Sequence, residues 1–546
     1  MVAAAPVAAG LAAIRGGWTA TSDWALIAAR SLETLSWDPP LTGMPTSLSL
    51  YSDGALFHPG PLPFWIFATP TRLLGEPGYG LIVGAVACNV AAIAATFVLF
   101  RRPRVPELVL GGAVLVALLE VTAGAVLLRD PFNPSIAVLP MFALCIATWS
   151  VLAGHPKAMI VVVAFGSIAA QAHVMNLPTF ALLLVVASAS LLTSAIQHGR
   201  TGARRAARRW GAISAGLLVL CWSGPLVDQV AGDGNLMGLL TSGSSVDGSG
   251  LRYGTERMLA MITKSPWARF SGRQPDPHLM PVEVALGVAM LLVVAATGVW
   301  AVRTGRRSLA AWQMMALLAS AGAVLTTARV PVSSFGGTSS PASALIWIPV
   351  GAVLRFAVVW GLAAAVSSLA LRRRPTDRGG GGQLTLSAAA AAAVVAAMLS
   401  LGPLRPDGDP GSITWGAARV HAAAIAREVP PGRTVVLDAD GSPGSTALIP
   451  TLLGQLRLHD VEVLYTKRLP ETGMFPQYHE TGRERATDLM IVLIRAGDEA
   501  DQPLADHRLI SSYDPSRPIQ RYEGYDRRSA FGSGSEPTAV HVLEGA

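Results

Sequence analysis

Residues 79–100 read YGLIVGAVACNVAAIAATFVLF, a run without one charged side chain. A helix crosses the hydrocarbon core of a bilayer with about 20 mainly apolar residues, because all its backbone hydrogen bonds must close inside the segment. Outward from this run, comparable stretches recur near 1–14, 107–128, 136–153, 158–174, 177–196, 212–230, 282–302, 310–328, 350–371 and 384–402. They predict a mainly α, polytopic membrane helix bundle of about eleven transmembrane helices. The stretch 1–14 is short, has no basic residues ahead of it and lacks a convincing cleavage site. It is therefore read as a partly inserted or late-starting first span and not as a removed signal peptide.

Composition agrees. Of 546 residues, 51% are hydrophobic and 14% charged, against about 25% charged in soluble proteins. Residues 1–402 carry 27 Lys/Arg and 15 Asp/Glu, whereas the much shorter 403–546 carries 15 and 20. The division predicts a transmembrane domain over 1–402, with long outer loops 15–78 and 231–281, and a small extracytoplasmic α/β domain over 403–546. A single soluble globule and a disulfide framework are excluded. The net charge of +7 does not point to nucleic acid, since the basic excess lies in short loops between spans and the soluble part is acidic. Cys88, Cys145 and Cys221 all fall in apolar segments, where a thiol behaves as a small hydrophobe.

Basic residues fall in alternate loops: Arg101, Arg102 and Arg104; Lys157; Arg200, Arg204, Arg205, Arg208 and Arg209; Arg303, Arg306 and Arg307; and Arg372, Arg373, Arg374 and Arg378. Lys and Arg are retained on the cytoplasmic side. The expectation is a bacterial plasma-membrane protein with its N-terminus cytoplasmic and 403–546 outside. The Gly-rich 372–383 reads as a flexible tether. Beyond it, an Ala-rich helix around 415–429, a strand at Thr434–Leu437, a helix around 445–456 and strands near 461–465 and 488–494 suggest the α/β fold. Asp438 and Asp440 end the first strand; such acids serve turns far more often than metals, though both readings stay open.

Chemistry is sought at the outer face, where the costly polar groups gather. Asp23 opens a helix-like piece, SDWALIAAR, and a first-turn acid suits the helix dipole. Trp18, Trp24 and Trp37 would suit an interfacial belt. His58 opens HPGPLPFW, a rigid turn followed by an amphipathic helix lying along the membrane surface. Further motifs are Arg129-Asp130-Pro131-Phe132-Asn133-Pro134, Gln171-Ala172-His173, and Asp228-Gln229 followed by Gly234-Asn235. Arg329 and Arg355 also fall near the outer face; Arg355 either binds substrate or snorkels. Asp53 reads as an Asp-Gly turn or a second acid. Glu120, midway along its span, would be paired or protonated. Loop 231–281, with Arg252, Arg257, Lys264, Arg269 and Arg273, is a mobile lid or a solvated loop.

In their order along the chain, these motifs resemble the GT-C glycosyltransferases, including family 39-like enzymes, and are similar to multi-pass membrane proteins of actinobacteria. The resemblance covers roughly 1–402. It implies transfer of a sugar from a polyprenyl-phosphate donor to a cell-envelope glycan or lipid acceptor outside the cytoplasm. Asp23 matches the family's first-loop acid, which would take the proton of the attacking hydroxyl. His58, Arg129, Asp130, His173, Asp228, Gln229, Asn235, Arg329 and Arg355 would bind substrate, the arginines favouring the lipid phosphate as it leaves. Some GT-C enzymes carry adjacent acids where this chain has Asp23-Trp24. No residue is therefore assigned to a metal, and a divalent cation stays open as cofactor. Asp23, His58, Asp130 and Arg329 are expected to converge on one outer cavity. Two other classes remain: a flippase for a lipid-linked precursor, and a non-catalytic envelope scaffold.

Overall fold

The computed structural model describes residues 3–51, 55–75, 78–101, 111–112, 115–116, 119, 124, 126–196, 201–242, 248–263, 280–331, 345–371, 412–466, 475–478, 489–497, 500–513 and 538–543. The helical part runs α1 (Ala4–Arg15), α2 (Ser22–Glu33), α3 (Leu62–Leu74), α4 (Tyr79–Arg101), the short α5 (Asn133–Ile136), α6 (Val138–Leu152), α7 (Met159–Ala172), α8 (Leu177–Ile196) and α9 (Thr201–Ala231). It continues through α10 (Asn235–Ser242), α11 (Gly250–Thr263), α12 (Pro281–Arg303), α13 (Arg307–Ala328) and α14 (Trp347–Leu371).

Among the described residues, 7 helical segments are long and apolar enough to cross a membrane: Tyr79–Arg101, Asn133–Leu152, Val174–Ile196, Gly202–Ala231, Pro281–Arg303, Arg307–Ala328 and Trp347–Val366. The chain is a multi-pass membrane protein. Four expected spans stand differently. The first is a helix of 12 residues, which at 1.5 Å per residue reaches only about 18 Å. The expected 158–174 span corresponds to the shorter apolar helix Pro156–Ala172. Residues 107–128 lie partly, and 384–402 wholly, outside the described residues.

The hub of the bundle is α6. The span containing it is 94% buried, against 22% for Pro281–Arg303, so α6 is enclosed by helices and α12 faces lipid. A helix apolar on every side is expected at such a centre. At the lower end of α6, Trp149, Trp312 and Trp360 form a cluster with Phe100 and Phe356. Two of the three indole nitrogens are satisfied: Trp149 donates to the Ser308 carbonyl at 2.9 Å and Trp312 to that of Val353 at 3.1 Å. The basic loops lie at the same end. Lys157 and Arg209 sit over the Trp210 ring, and Arg306 over Trp300, as cation–aromatic pairs.

At the opposite end stands the α/β domain: α15 (Ser412–Glu428), β1 (Thr434–Ala439), α16 (Pro443–Leu458), β2 (Val463–Tyr465), β3 (Leu489–Ala496), β4 (His507–Tyr513) and β5 (Thr538–Leu543). The sheet order is β2-β1-β3-β5-β4, with β1 parallel to β2 and β3 and the pairs β3–β5 and β4–β5 antiparallel. The helices and first three strands follow the sequence reading. Strands β4 and β5 were not anticipated, because β4 is an edge strand with little buried surface and so lacks the alternation by which strands are recognised.

Helix α16 packs directly on α2. The approach is so close that a Cβ on Gly454 would lie 2.2 Å from the Ala25 carbonyl oxygen, so only glycine fits there. The first loop and the α/β domain therefore share one face.

Inside the domain, His421 is fully buried, with Nδ1 2.8 Å from Ser511 Oγ and Nε2 2.8 Å from Thr538 Oγ1. Burial pushes its pKa down to about 4 from 6.5. Between these values the unfolded chain binds the extra proton, so stability is lost as pH falls from 6.5 towards 4, by up to roughly 3 kcal/mol. Melting curves across this range should show the loss in wild type and a shallower dependence in His421→Gln, which starts lower at neutral pH by about 1–3 kcal/mol through its misfitted partners.

Candidate functional site

Of the polar residues singled out by the sequence, Asp23 stands where α2 meets the α/β domain. Asp23 lies in the first turn of α2 and is partly buried. Among the described residues its carboxylate has no hydrogen bond or ion pair. Burial pushes its pKa up to about 6 from 3.8. Ser22 before it has φ +47°, a left-handed conformation that costs a residue with a Cβ roughly 1–2 kcal/mol. Its amide donates to Thr451 Oγ1 of α16 at 2.8 Å.

Trp24 and Asp130 are partners. The indole donates to Asp130 Oδ1 at 2.7 Å, and Asp130 also accepts from the Phe132 amide at 3.1 Å and Ser135 Oγ at 2.7 Å. Asp130 thus starts the 133–136 turn and anchors α2 to it, with Trp24 packed 5.8 Å from Phe132. Arg129 beside it is buried. The expected tryptophan belt is corrected: Trp18 is buried and Trp24 serves Asp130, while Trp37 alone of the three is fully exposed. Burial wins because α2 is covered by the α/β domain.

His58 and His173 meet with ring centroids 4.5 Å apart. The Val174 amide donates to His58 Nδ1 at 3.2 Å, and the Met175 amide to His173 Nδ1 at 3.4 Å. A ring nitrogen that accepts an N–H carries the lone pair, so each neutral ring bears its proton on Nε2. Burial, with His173 beside it, holds His58 well below 6.5, and burial brings His173 to about 4. Neither Nε2 has a hydrogen-bond partner among the described residues. Two neutral donors therefore sit side by side. His173 lines a narrow cleft, with room for little more than a water molecule, together with Pro134, Met175, Asn176, Leu345 and Ile346.

The turn bearing His58 is held by polar side chains on both sides. Gln171 accepts from the Leu62 amide at 3.2 Å and donates to the Cys221 carbonyl at 2.7 Å. A Cβ on Gly60 would stand 2.3 Å from Gln171 Oε1. Asn235 accepts from the Phe57 amide at 2.8 Å and donates to the Phe57 carbonyl at 3.1 Å, while Asp228 accepts from the Asn235 amide at 2.9 Å and Gln229 from that of Met237 at 2.9 Å. Asp228, Gln229 and Asn235 thus clamp the turn between α9 and α10 to the first loop.

The arginines separate. Arg329 is exposed at the end of α13 with no side-chain partner among the described residues. Arg355 donates to the Met261 and Ile262 carbonyls, closing the C-terminus of α11, where orphan carbonyls need donors. Neither expected reading covered that role. Loop 231–281 differs likewise: Asn235–Ser242 and Gly250–Thr263 are helices, and α11 packs on α12, α13 and α14. Lys264, Arg269, Arg273, Asp53 and Glu120 lie outside the described residues. Of Asp23, His58, Asp130 and Arg329, none lines the cleft that His173 lines, though His58 stands against His173.

Asp440 accepts from Ser445 Oγ at 2.6 Å and the Ser442 amide at 2.9 Å. Burial acts to raise its pKa, yet the bonds from Ser445 and Ser442 prevail and hold it below 3.8. Asp438 accepts from Thr466 Oγ1 at 2.8 Å. Both acids serve the turn after β1. Among the described residues no group of three or more His, Cys, Asp or Glu is placed to hold a metal.

Sequence reasoning missed the cluster at the far end of α2. Glu33 accepts from Arg30, from Arg457 at 3.4 Å and from Tyr478 Oη at 2.5 Å, and Arg30 lies over Phe475 at 4.9 Å. Only Arg30 is local to Glu33; Arg457 and Tyr478 come from over 400 positions away, which no local pattern announces.

The fold is that of a multi-pass membrane protein with an α/β domain packed on its first loop. No family model and no curated protein matches the chain. Among solved structures it is similar to that of ArnT from Cupriavidus metallidurans bound to undecaprenyl phosphate, at 13% identity and a TM-score of 0.46, over 96% of this chain and 97% of that one.

The buried Asp23 carboxylate carries a stability cost. Its folded pKa of about 6 lies above the unfolded 3.8, so the folded state binds the extra proton between them and stability falls as pH rises through that window. By pH 7 the cost is at most roughly 3 kcal/mol, less for the water that reaches the group. Asp23→Asn should melt higher than wild type at pH 7.5 and lose that advantage near pH 4; equal melting at both pH values would mean the carboxylate is well solvated.

Proposed function

We propose that the protein is a GT-C glycosyltransferase that moves a sugar from a polyprenyl-phosphate donor to a cell-envelope hydroxyl at the outer face of the membrane. The observation that carries this reading is Asp23: a partly buried carboxylate without a partner among the described residues, raised towards neutrality, at the position of the family's first-loop acid. A group held at such a cost, and titrating near the working pH, is suited to general-base catalysis.

In the reaction, the acceptor oxygen attacks the anomeric carbon and gives its proton to Asp23. The bond from that carbon to the phosphate oxygen breaks, and polyprenyl phosphate departs with the electron pair. A phosphate leaves as a stable anion, so hydrogen-bond donors and cations suffice in place of a second acid. The neutral Nε2–H groups of His58 and His173 are assigned to this charge or to sugar oxygens, and Arg129 and Arg329 to the phosphate. Asp130 acts on Trp24 and so on the α2 turn. Asp228, Gln229 and Asn235 keep the His58 turn in place, and Arg355 keeps α11 in place; their effect on substrate is indirect.

Purified protein in lipid, offered a panel of polyprenyl-phosphate sugars and mixed envelope glycans, should release polyprenyl phosphate. Release should vanish in Asp23→Asn and fall about tenfold per unit below pH 6, as an ionised base requires. Labelled lipid crossing the bilayer without release from any donor would overturn the transferase in favour of a flippase.

A further inference from the structure

Resting on the transferase reading, we infer that the α/β domain is part of the catalytic apparatus: through Thr451, Gly454 and Gln455, helix α16 templates the turn of α2 that aims Asp23, making these positioning residues. Three bonds or contacts fall on successive parts of that turn. Gln455 Nε2 donates to the Ala20 carbonyl at 2.6 Å. Thr451 Oγ1 accepts from the Ser22 amide at 2.8 Å. Gly454 lies flat against the Ala25 carbonyl, with no room for a Cβ. Asp23 stands between the last two.

The local sequence does not hold this turn by itself. Thr21, the residue before α2, makes no side-chain cap bond, and Ser22 sits in the left-handed region that a serine leaves when free to do so. Strain of this kind persists only where surroundings over-determine it, and the surroundings here are a helix from 429 positions further along the chain. Thr451 and Gln455 are both buried, so water does not compete for the bonds. Arg419 of α15 extends the same grip upstream, donating to Thr19 Oγ1 at 2.7 Å and to the Gly17 carbonyl. The Glu33 cluster fixes the other end of α2. Both ends of the helix are thus tied to the α/β domain, while the Trp24–Asp130 bond ties its side to the bundle.

The test uses the full chain in lipid and compares wild type, Thr451→Val and Thr451→Ser. Valine keeps the volume and removes the acceptor; serine keeps the acceptor. With a donor that wild type turns over, Thr451→Val should lower kcat by about tenfold to a hundredfold, the scale on which small misplacements act, with KM within about twofold, and Thr451→Ser should restore most of it. Unchanged kcat in Thr451→Val, or a loss that serine does not rescue, would overturn the inference. A readout that needs no donor is labelling of Asp23 by an apolar carbodiimide, which reacts with protonated carboxyls in apolar surroundings, followed by mass spectrometry. Labelling in wild type and Thr451→Ser that drops in Thr451→Val supports the template even if no sugar is ever transferred; equal labelling in all three rejects it. Failure of wild type to release polyprenyl phosphate with any donor instead strikes the transferase reading alone.

Discussion

The contact between α16 and α2 is the constraint on which the rest of the candidate site depends. A helix of the α/β domain lies against the first loop so closely that Gly454 meets the Ala25 carbonyl with no side chain between. Close backbone approach of this kind, with the Gln455 and Thr451 bonds, cannot be reached by a domain loosely tethered to the membrane part. It fixes the distance and the rotation of α2. Once α2 is fixed, Trp24 reaches Asp130, and the 130–136 turn follows. That turn supplies Pro134 to the cleft that His173 also lines.

A second layer holds the other half of the candidate site. Gln171 and Asn235, from different helices, each bind backbone of the segment 57–62 by two bonds or by one bond and a close pack. Side-chain amides are well suited to this, since each offers both donor and acceptor. The consequence for chemistry is that His58 is carried on a turn clamped from two directions. Its ring is further pinned by the Val174 amide, which also dictates the tautomer. Pre-organised, neutral donors cost little to reorient when charge develops nearby.

Much of the architecture was legible in the sequence, and the reasons are physical. Long apolar runs have one solution in lipid, so Tyr79–Arg101 and Arg307–Ala328 could be read almost to the residue. Strand β3 alternates and was found; the edge strand β4 does not and was missed. Polar outliers near helix ends, Asp23, His58, Asp130 and His173, were visible because such groups are costly where they occur. Their partners were not. Trp24 looked like an interfacial anchor, and Arg355 like a phosphate ligand or a snorkelling chain, yet each is taken by a bond to a distant segment. Pairings between residues far apart in sequence leave no local period to detect.

That limit explains why the α/β domain seemed separable when read from the chain. Its charge and composition set it apart from residues 1–402. Composition reports the solvent a segment meets, however, not the surface it is built to match. Thr451 and Gln455 look like ordinary polar positions on an amphipathic helix, and Gly454 like a mild weakness in its middle. A glycine inside a helix lowers its stability unless something needs the space, and here the Ala25 carbonyl occupies it. The same logic applies to Ser22: a left-handed serine at a helix start is unfavourable alone, and becomes intelligible once its amide is seen to be spoken for by the other domain. Two local penalties, in segments more than 400 residues apart, thus meet at one contact beside Asp23, the carboxylate on which the proposed chemistry turns.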